Sequence, residues 1–245
     1  MGLDWFMTVW PWVGLGAAIV LLIVLFATDW LQADKAISRW RDLTWIAWLA
    51  AVAYMLHNVE EYGLDFTGTT LAFPGLMAGL LGSMPGWMFF LCVNLSLVWV
   101  MGPAAALLSG RYPAMAFGMI GVQAINSLTH VPGAVVLGTV KGGFVTAIVL
   151  FVPLVVWAFL GLTGGGSDGL RRSTLWGFVG IGLLYHLALF ATVPLYLNGI
   201  LDGTGMGLLM LVAGGVTFAA WLWLAKRADV RRVEASFGAV GTVVA

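Results

Sequence analysis

The string His57-Asn58-Val59-Glu60-Glu61-Tyr62 sets an imidazole and two carboxylates inside an otherwise apolar stretch. On a helix, positions i, i+3 and i+4 share a face, so His57, Glu60 and Glu61 can be aimed at one spot. His130 and His186 also fall within long apolar runs, and Asn126 precedes His130 by one turn. Together these are all three histidines and two of the three glutamates in the chain. An ionisable group inside a bilayer costs roughly 2.5–3.5 kcal/mol on insertion scales, so each one is a functional candidate. Imidazole nitrogen combined with carboxylate oxygen is a donor set for zinc, iron or manganese. The expected ligands of a divalent metal, zinc first, are His57, Glu61, His130 and His186. Glu60 is the expected general base, because i+3 is turned ~100° around the helix from the i+4 face on which paired zinc ligands sit. Asn126, Tyr62 and Tyr185 are expected as supporting polar groups.

Those side chains need a framework, and the composition says which solvent it meets. The 245 residues are 61% hydrophobic and 9% charged, with a mean hydropathy of +1.00. A soluble domain carries about 25% charged residues, so water is not the main solvent. The net charge is zero, which leaves no basic face for nucleic acid. Cys92 is the single cysteine, which excludes an internal disulfide and a cysteine metal cluster. Stretches of roughly 20 apolar residues, the length of a membrane span, occur at 9–28, 43–63, 86–109, 113–137, 143–163, 174–197 and 205–225. Leu71 to Leu81 is too short to span and reads as a half-helix leading into the third. The fold class expected is all-α, a single polytopic membrane bundle of about seven transmembrane helices over residues 1–245, with 234–245 as a disordered tail.

Orientation follows from the cations, which are retained in cytoplasmic loops. With seven spans, ten of the 11 Lys and Arg fall on one side: Lys35, Arg39, Arg41, Arg111, Arg171, Arg172, Lys226, Arg227, Arg231 and Arg232. Lys141 alone is opposite. This places the N-terminus outside and the C-terminus in the cytoplasm, in what is expected to be a prokaryotic plasma membrane. Trp5, Trp10, Trp12 and Trp87 then mark the outer interface, and Trp30, Trp40 and Trp176 the inner one. Spans two, four and six are co-oriented, which puts His57 ~9 Å, His130 ~10 Å and His186 ~16 Å below their outer ends at 1.5 Å per residue. One site in the outer half of the membrane can collect all three.

The His57-x-x-Glu60-Glu61 string, followed at a distance by Asn126-Ser-Leu-Thr-His130, resembles the HXXEE-domain family of integral membrane proteins. The resemblance covers most of the membrane region. That family carries no assigned activity and is marked by the HXXEE string, a second histidine and a Tyr-x-Pro-Gly element. Here the stretch after His130 reads Val140-Lys141-Gly142-Gly143-Phe144-Val145-Thr146, keeping the glycine but lacking Tyr and Pro.

Three functions compete. The first is a metal-dependent hydrolytic enzyme whose partners are membrane lipids and a lipophilic substrate, lipid-like or isoprenoid. The second is metal-free acid–base chemistry, as in membrane isomerases and terpene cyclases, where Glu60 or Glu61, Tyr62 and Asp202 matter most. The third is a metal or proton transporter or an assembly factor. Haem is disfavoured because the two glutamates would be idle. Retinal is excluded because the last span has no lysine. Asn58, Asn94 and Gln123 are expected to hydrogen-bond between helices.

Overall fold

The computed structural model describes residues 4–137, 140, 142–163 and 170–241, and every regular element among them is helical. The helices are α1 (Asp4–Ala27), α2 (Leu43–Asn58), α3 (Ala72–Leu81), α4 (Trp87–Ser109), α5 (Phe117–Leu137), α6 (Phe144–Gly161), α7 (Arg172–Leu197) and α8 (Gly203–Gly241). A π-helical turn, Val59–Gly63, continues α2; two more, Leu95–Met101 and Ala147–Phe151, interrupt α4 and α6. Each expected apolar run is helical over most of its length, and the expected half-helix is α3. Lys141, the glycine-rich loop 164–168 and residues 242–245 lie outside the described residues. α8 runs on to Gly241, well beyond the expected end of its span and into the segment expected as a tail.

Among the described residues, five helical stretches are long and apolar enough to cross a membrane: Trp5–Ala27, Trp87–Ser109, Phe144–Gly161, Arg172–Leu197 and Gly203–Asp229. Their outward residues, such as Val149, Leu160, Leu184 and Val212, are large, apolar and exposed. Such a surface suits hydrocarbon rather than water. α2 and α5 are the more polar rods, and they sit inward: Ile46, Ala50 and Ala51 of α2 and Ile120, Val122 and Gln123 of α5 are fully buried. Polar groups here follow from a simple constraint, since in lipid a helix can carry them only where other helices cover them.

Local contacts fix how the rods turn and meet. Asp42 caps α2 by accepting from Trp45 N at 2.8 Å, and its other oxygen accepts from Ala33 N and Asp34 N, ordering the preceding loop. Arg39 donates to the terminal carbonyls of α1 at Leu25 and Phe26, both at 3.0 Å, where a cation complements the helix dipole. Trp157 Nε1 donates to Trp40 O at 3.0 Å, and both Arg111 and Lys226 lie over the Tyr112 ring. The Arg39–Arg41 turn is thus held to the end of α6, and Arg111 and Lys226 meet at Tyr112. Trp10 departs from its expected interfacial place: it is buried against Tyr62 and Trp99, because its face of α1 points at α2 and α4.

α5 and α7 approach closely. A Cβ on Gly121 would stand 2.4 Å from Phe178 O, and one on Gly182 would stand 2.6 Å from Gly121 O. Only hydrogen at both positions lets the backbones touch. That crossing brings the helix of His186 against the helix of His130.

Candidate functional site

At the C-terminal end of α2 the helix widens, with Leu64 N donating to Val59 O five residues back at 2.9 Å. The Val59–Gly63 turn carries Glu60 and Glu61, both 4% exposed. The two carboxylates go to different partners. Glu61 Oε1 lies 3.4 Å from His57 Nε2 and 3.2 Å from His130 Nε2. One ligand atom from each of His57, Glu61 and His130 falls within 4.8 Å of the others, so an ion between them is geometrically accessible. The two imidazole rings meet edge to face with centroids 5.0 Å apart, and Phe151 lies against His57 at 4.6 Å.

Glu60 faces the other way. Oε1 accepts from Val145 N at 3.0 Å, and Oε2 accepts from Thr146 N at 2.7 Å and Thr146 Oγ1 at 2.5 Å. A carboxylate on the first backbone N–H groups of α6 satisfies donors that have no partner within the helix and matches the positive end of its dipole. The role of base expected for Glu60 therefore meets a different geometry, in which three donors occupy its oxygens and it takes no place on the cavity wall. The reason lies in the adjacent helix start, which claims the carboxylate nearest to it.

Thr146 ties this brace to the histidine. His57 Nδ1 is 2.7 Å from Thr146 Oγ1. The hydroxyl has one proton, and its other neighbours, the Glu60 carboxylate and Gly143 O, only accept. His57 must then donate through Nδ1–H, which leaves Nε2 of the neutral ring as a lone pair. That atom is buried and has no hydrogen-bond partner among the described residues. A histidine oriented through its distal nitrogen by a hydroxyl and a carboxylate is the arrangement that supports metal-ligating imidazoles. Thr146 is absent from the residues singled out in the sequence; its only signal is a hydroxyl three residues after a Gly-Gly pair at a helix start.

A cavity of about 250 Å³ opens from the triad. Glu61, His130, His186, Asn126, Tyr54, Tyr62 and Tyr185 supply polar groups to its wall, and phenylalanine and aliphatic side chains of α3, α4 and α7 supply the rest. His186 is thus beside the triad but outside it. Its Nδ1 donates to Gly182 O at 2.8 Å, the carbonyl one turn back, which leaves Nε2 as an acceptor on a cavity-lining ring. Asn126 donates to the Tyr54 hydroxyl at 3.2 Å, and Asn94 donates to the Tyr62 hydroxyl at 2.8 Å. Asn58 and Gln123 bond across helices as expected, to Asn94 Oδ1 and to Ala50 O. Asp202, named beside the two glutamates in the metal-free alternative, caps α8 by accepting from Gly205 N at 2.7 Å.

The last wall is backbone. Gly143, at φ +95°, lies so close to the histidine pair that a Cβ there would be 2.4 Å from His57 Cε1 and 3.0 Å from His130 Cε1. Gly142 closes in the same way on Phe73.

Residues 48–158 match a family model described as a protein of unknown function with HXXEE motif. The matched stretch contains the triad, Glu60, Gly143 and Thr146; Tyr185 and His186 lie beyond it. No curated protein and no solved structure gives a match.

Proposed function

We propose, for a chain whose residues 48–158 belong to the HXXEE-motif family, that the bundle interior holds one divalent ion, zinc first, between His57, His130 and Glu61. The protein is on this reading a membrane enzyme of hydrolytic chemistry acting on a lipid-like or isoprenoid substrate. One observation carries the reading: the His57 Nε2 lone pair is buried, has no hydrogen-bond donor to meet it, and shares its space with a second imidazole and a carboxylate. Burying such a group unpaired costs roughly 1–3 kcal/mol, which a bound cation would recover. Three protein ligands leave a fourth position of a tetrahedral ion for water or substrate. A divalent ion there would supply Lewis acidity and lower the pKa of a bound water.

The chain's own residues have separable tasks. Glu60 and Thr146 hold the His57 ring and its tautomer. His186 Nε2 is the acceptor on the cavity wall best placed to hold a proton, the task expected of Glu60 from the sequence. Asn126 and the tyrosine hydroxyls orient a polar head group. Metal content of the purified, detergent-solubilised protein tests the reading. About one ion per chain is expected in the native protein and none in His57→Ala, with helicity unchanged by circular dichroism. A native protein without stoichiometric metal would overturn it.

The same reading takes all seven long rods as spans, with the N-terminus outside and the C-terminus cytoplasmic. Ten cations on one side support it. A reporter fused at the C-terminus should be cytoplasmic and one inserted at 64–70 external; the reverse pattern would remove the seven-span topology.

A further inference from the structure

Along α7 the cavity wall changes character in one direction. His186 lines its deep end, Leu189, Phe190 and Val193 follow, and Tyr196 stands near the helix terminus. Phe190 is seven residues, or ~10 Å at 1.5 Å per residue, from the end of α7. Across the cavity α3 offers Leu76, Met77 and Leu80. Leu80 is 62% exposed and Phe190 51% exposed, although both line the cavity. At the helix ends the two sides are joined by Ser83 Oγ and Tyr196 OH, 2.9 Å apart, and by Tyr196 OH donating to Met84 O. The ends of α3 and α7 are thus tied by a hydroxyl clasp, and the cavity between the two helices is bordered by exposed apolar side chains.

We propose that the gap between α3 and α7 is a lateral portal through which a single-chain amphiphile with an oxygen-bearing head, a long-chain carboxylate or its carbonyl derivative, enters head first from the lipid. The volume sets the occupant. At about 250 Å³ the cavity falls below the 300–1,000 Å³ of pockets that enclose a whole drug-sized ligand. It accommodates a head group and the first part of one chain, and the remainder must lie outside along Leu80 and Phe190, where the solvent is already acyl chain. Glu61, His130 and His186 on the cavity wall are the destination a polar group would seek, so the head leads. The proposal rests on the centre proposed above, which is the destination of the head group.

The test is photolabelling of the protein in phosphatidylcholine nanodiscs with a diazirine-bearing palmitic acid, read by peptide mass spectrometry. Label is expected to be enriched in 73–80, 126–130 and 186–193 over the lipid-facing stretch 208–216 of α8. In a Leu80→Trp/Val193→Trp variant that enrichment should fall about tenfold, the equivalent of ~1.4 kcal/mol of lost tail burial, with metal content and elution volume unchanged. Uniform labelling of all lipid-facing segments, or enrichment that survives in the variant, would overturn the portal. Enriched labelling of a protein that carries no metal supports the portal and removes the centre, so the two readings fail separately.

Discussion

Glu61→Gln is expected to abolish the proposed metal binding while leaving the bundle folded. Glu61 Oε1 is the atom shared by both histidines, at 3.4 and 3.2 Å. An amide keeps the shape of the carboxylate but removes the anion and can turn an N–H toward the ion. Loss of partners that only orient a ligand already costs 10–100-fold in affinity, so loss of this ligand should cost at least ~100-fold. Glu60→Gln separates the two carboxylates. It spares all three donor atoms, but its NH₂ must face either Val145 N–H or Thr146 N–H, leaving a buried donor unsatisfied at roughly 1–3 kcal/mol. A lower melting temperature with weakened but measurable metal binding is the expected result. Metal titration with thermal melts in detergent reads both quantities. Full metal in Glu61→Gln together with its complete loss in Glu60→Gln would exchange the two roles and sink the assignment.

Gly143→Ala should be nearly as damaging, although it replaces none of the proposed ligands. Two costs add. The backbone at φ +95° disfavours any Cβ, a strain of order 1–3 kcal/mol. The added carbon would also stand 2.4 Å from His57 Cε1, and the ring is pinned from behind by Thr146 and Phe151. A ligand set tolerates displacements of about 0.5 Å, and relieving this contact takes more. Gly68→Ala is the matched control, with φ +81° and nothing within 4 Å of the new carbon. Both variants should melt earlier, and only Gly143→Ala should lose metal. Equal metal content in the two would show that the glycine is required for backbone conformation alone.

The triad was legible because its residues are rare in apolar sequence and because i, i+4 spacing sets His57 and Glu61 on one face. His130 joined them through the similar depth expected of it if the two helices run the same way across a membrane. The same depth reading set His186 some 6 Å deeper than the other two, and the structure keeps it on the cavity wall beyond the triad. The task of Glu60 was not legible, since its partners are backbone N–H groups at 145 and 146, far along the chain, and backbone donors leave no trace in residue type. The π turns were equally hidden: apolar periodicity does not distinguish Val59–Gly63 from another turn of α-helix. Trp10 shows the limit of composition, because an indole near a chain end satisfies an interfacial anchor and a core filler alike.

The bracing of Glu60 by Val145 and Thr146 also sets a clock. At 5–20 residues per second, roughly 4–17 s of synthesis separate the glutamate from the threonine that holds it. Throughout that interval the nascent chain carries two carboxylates at the end of α2 with neither the α6 brace nor, for most of it, His130 in place. The early intermediate must therefore keep this end of the helix in contact with water, a chaperoning insertase or free protons. On the reading proposed above, the braced form of the centre is complete only once the start of α6 has been made, so the order of assembly is written into which helix start Glu60 grips.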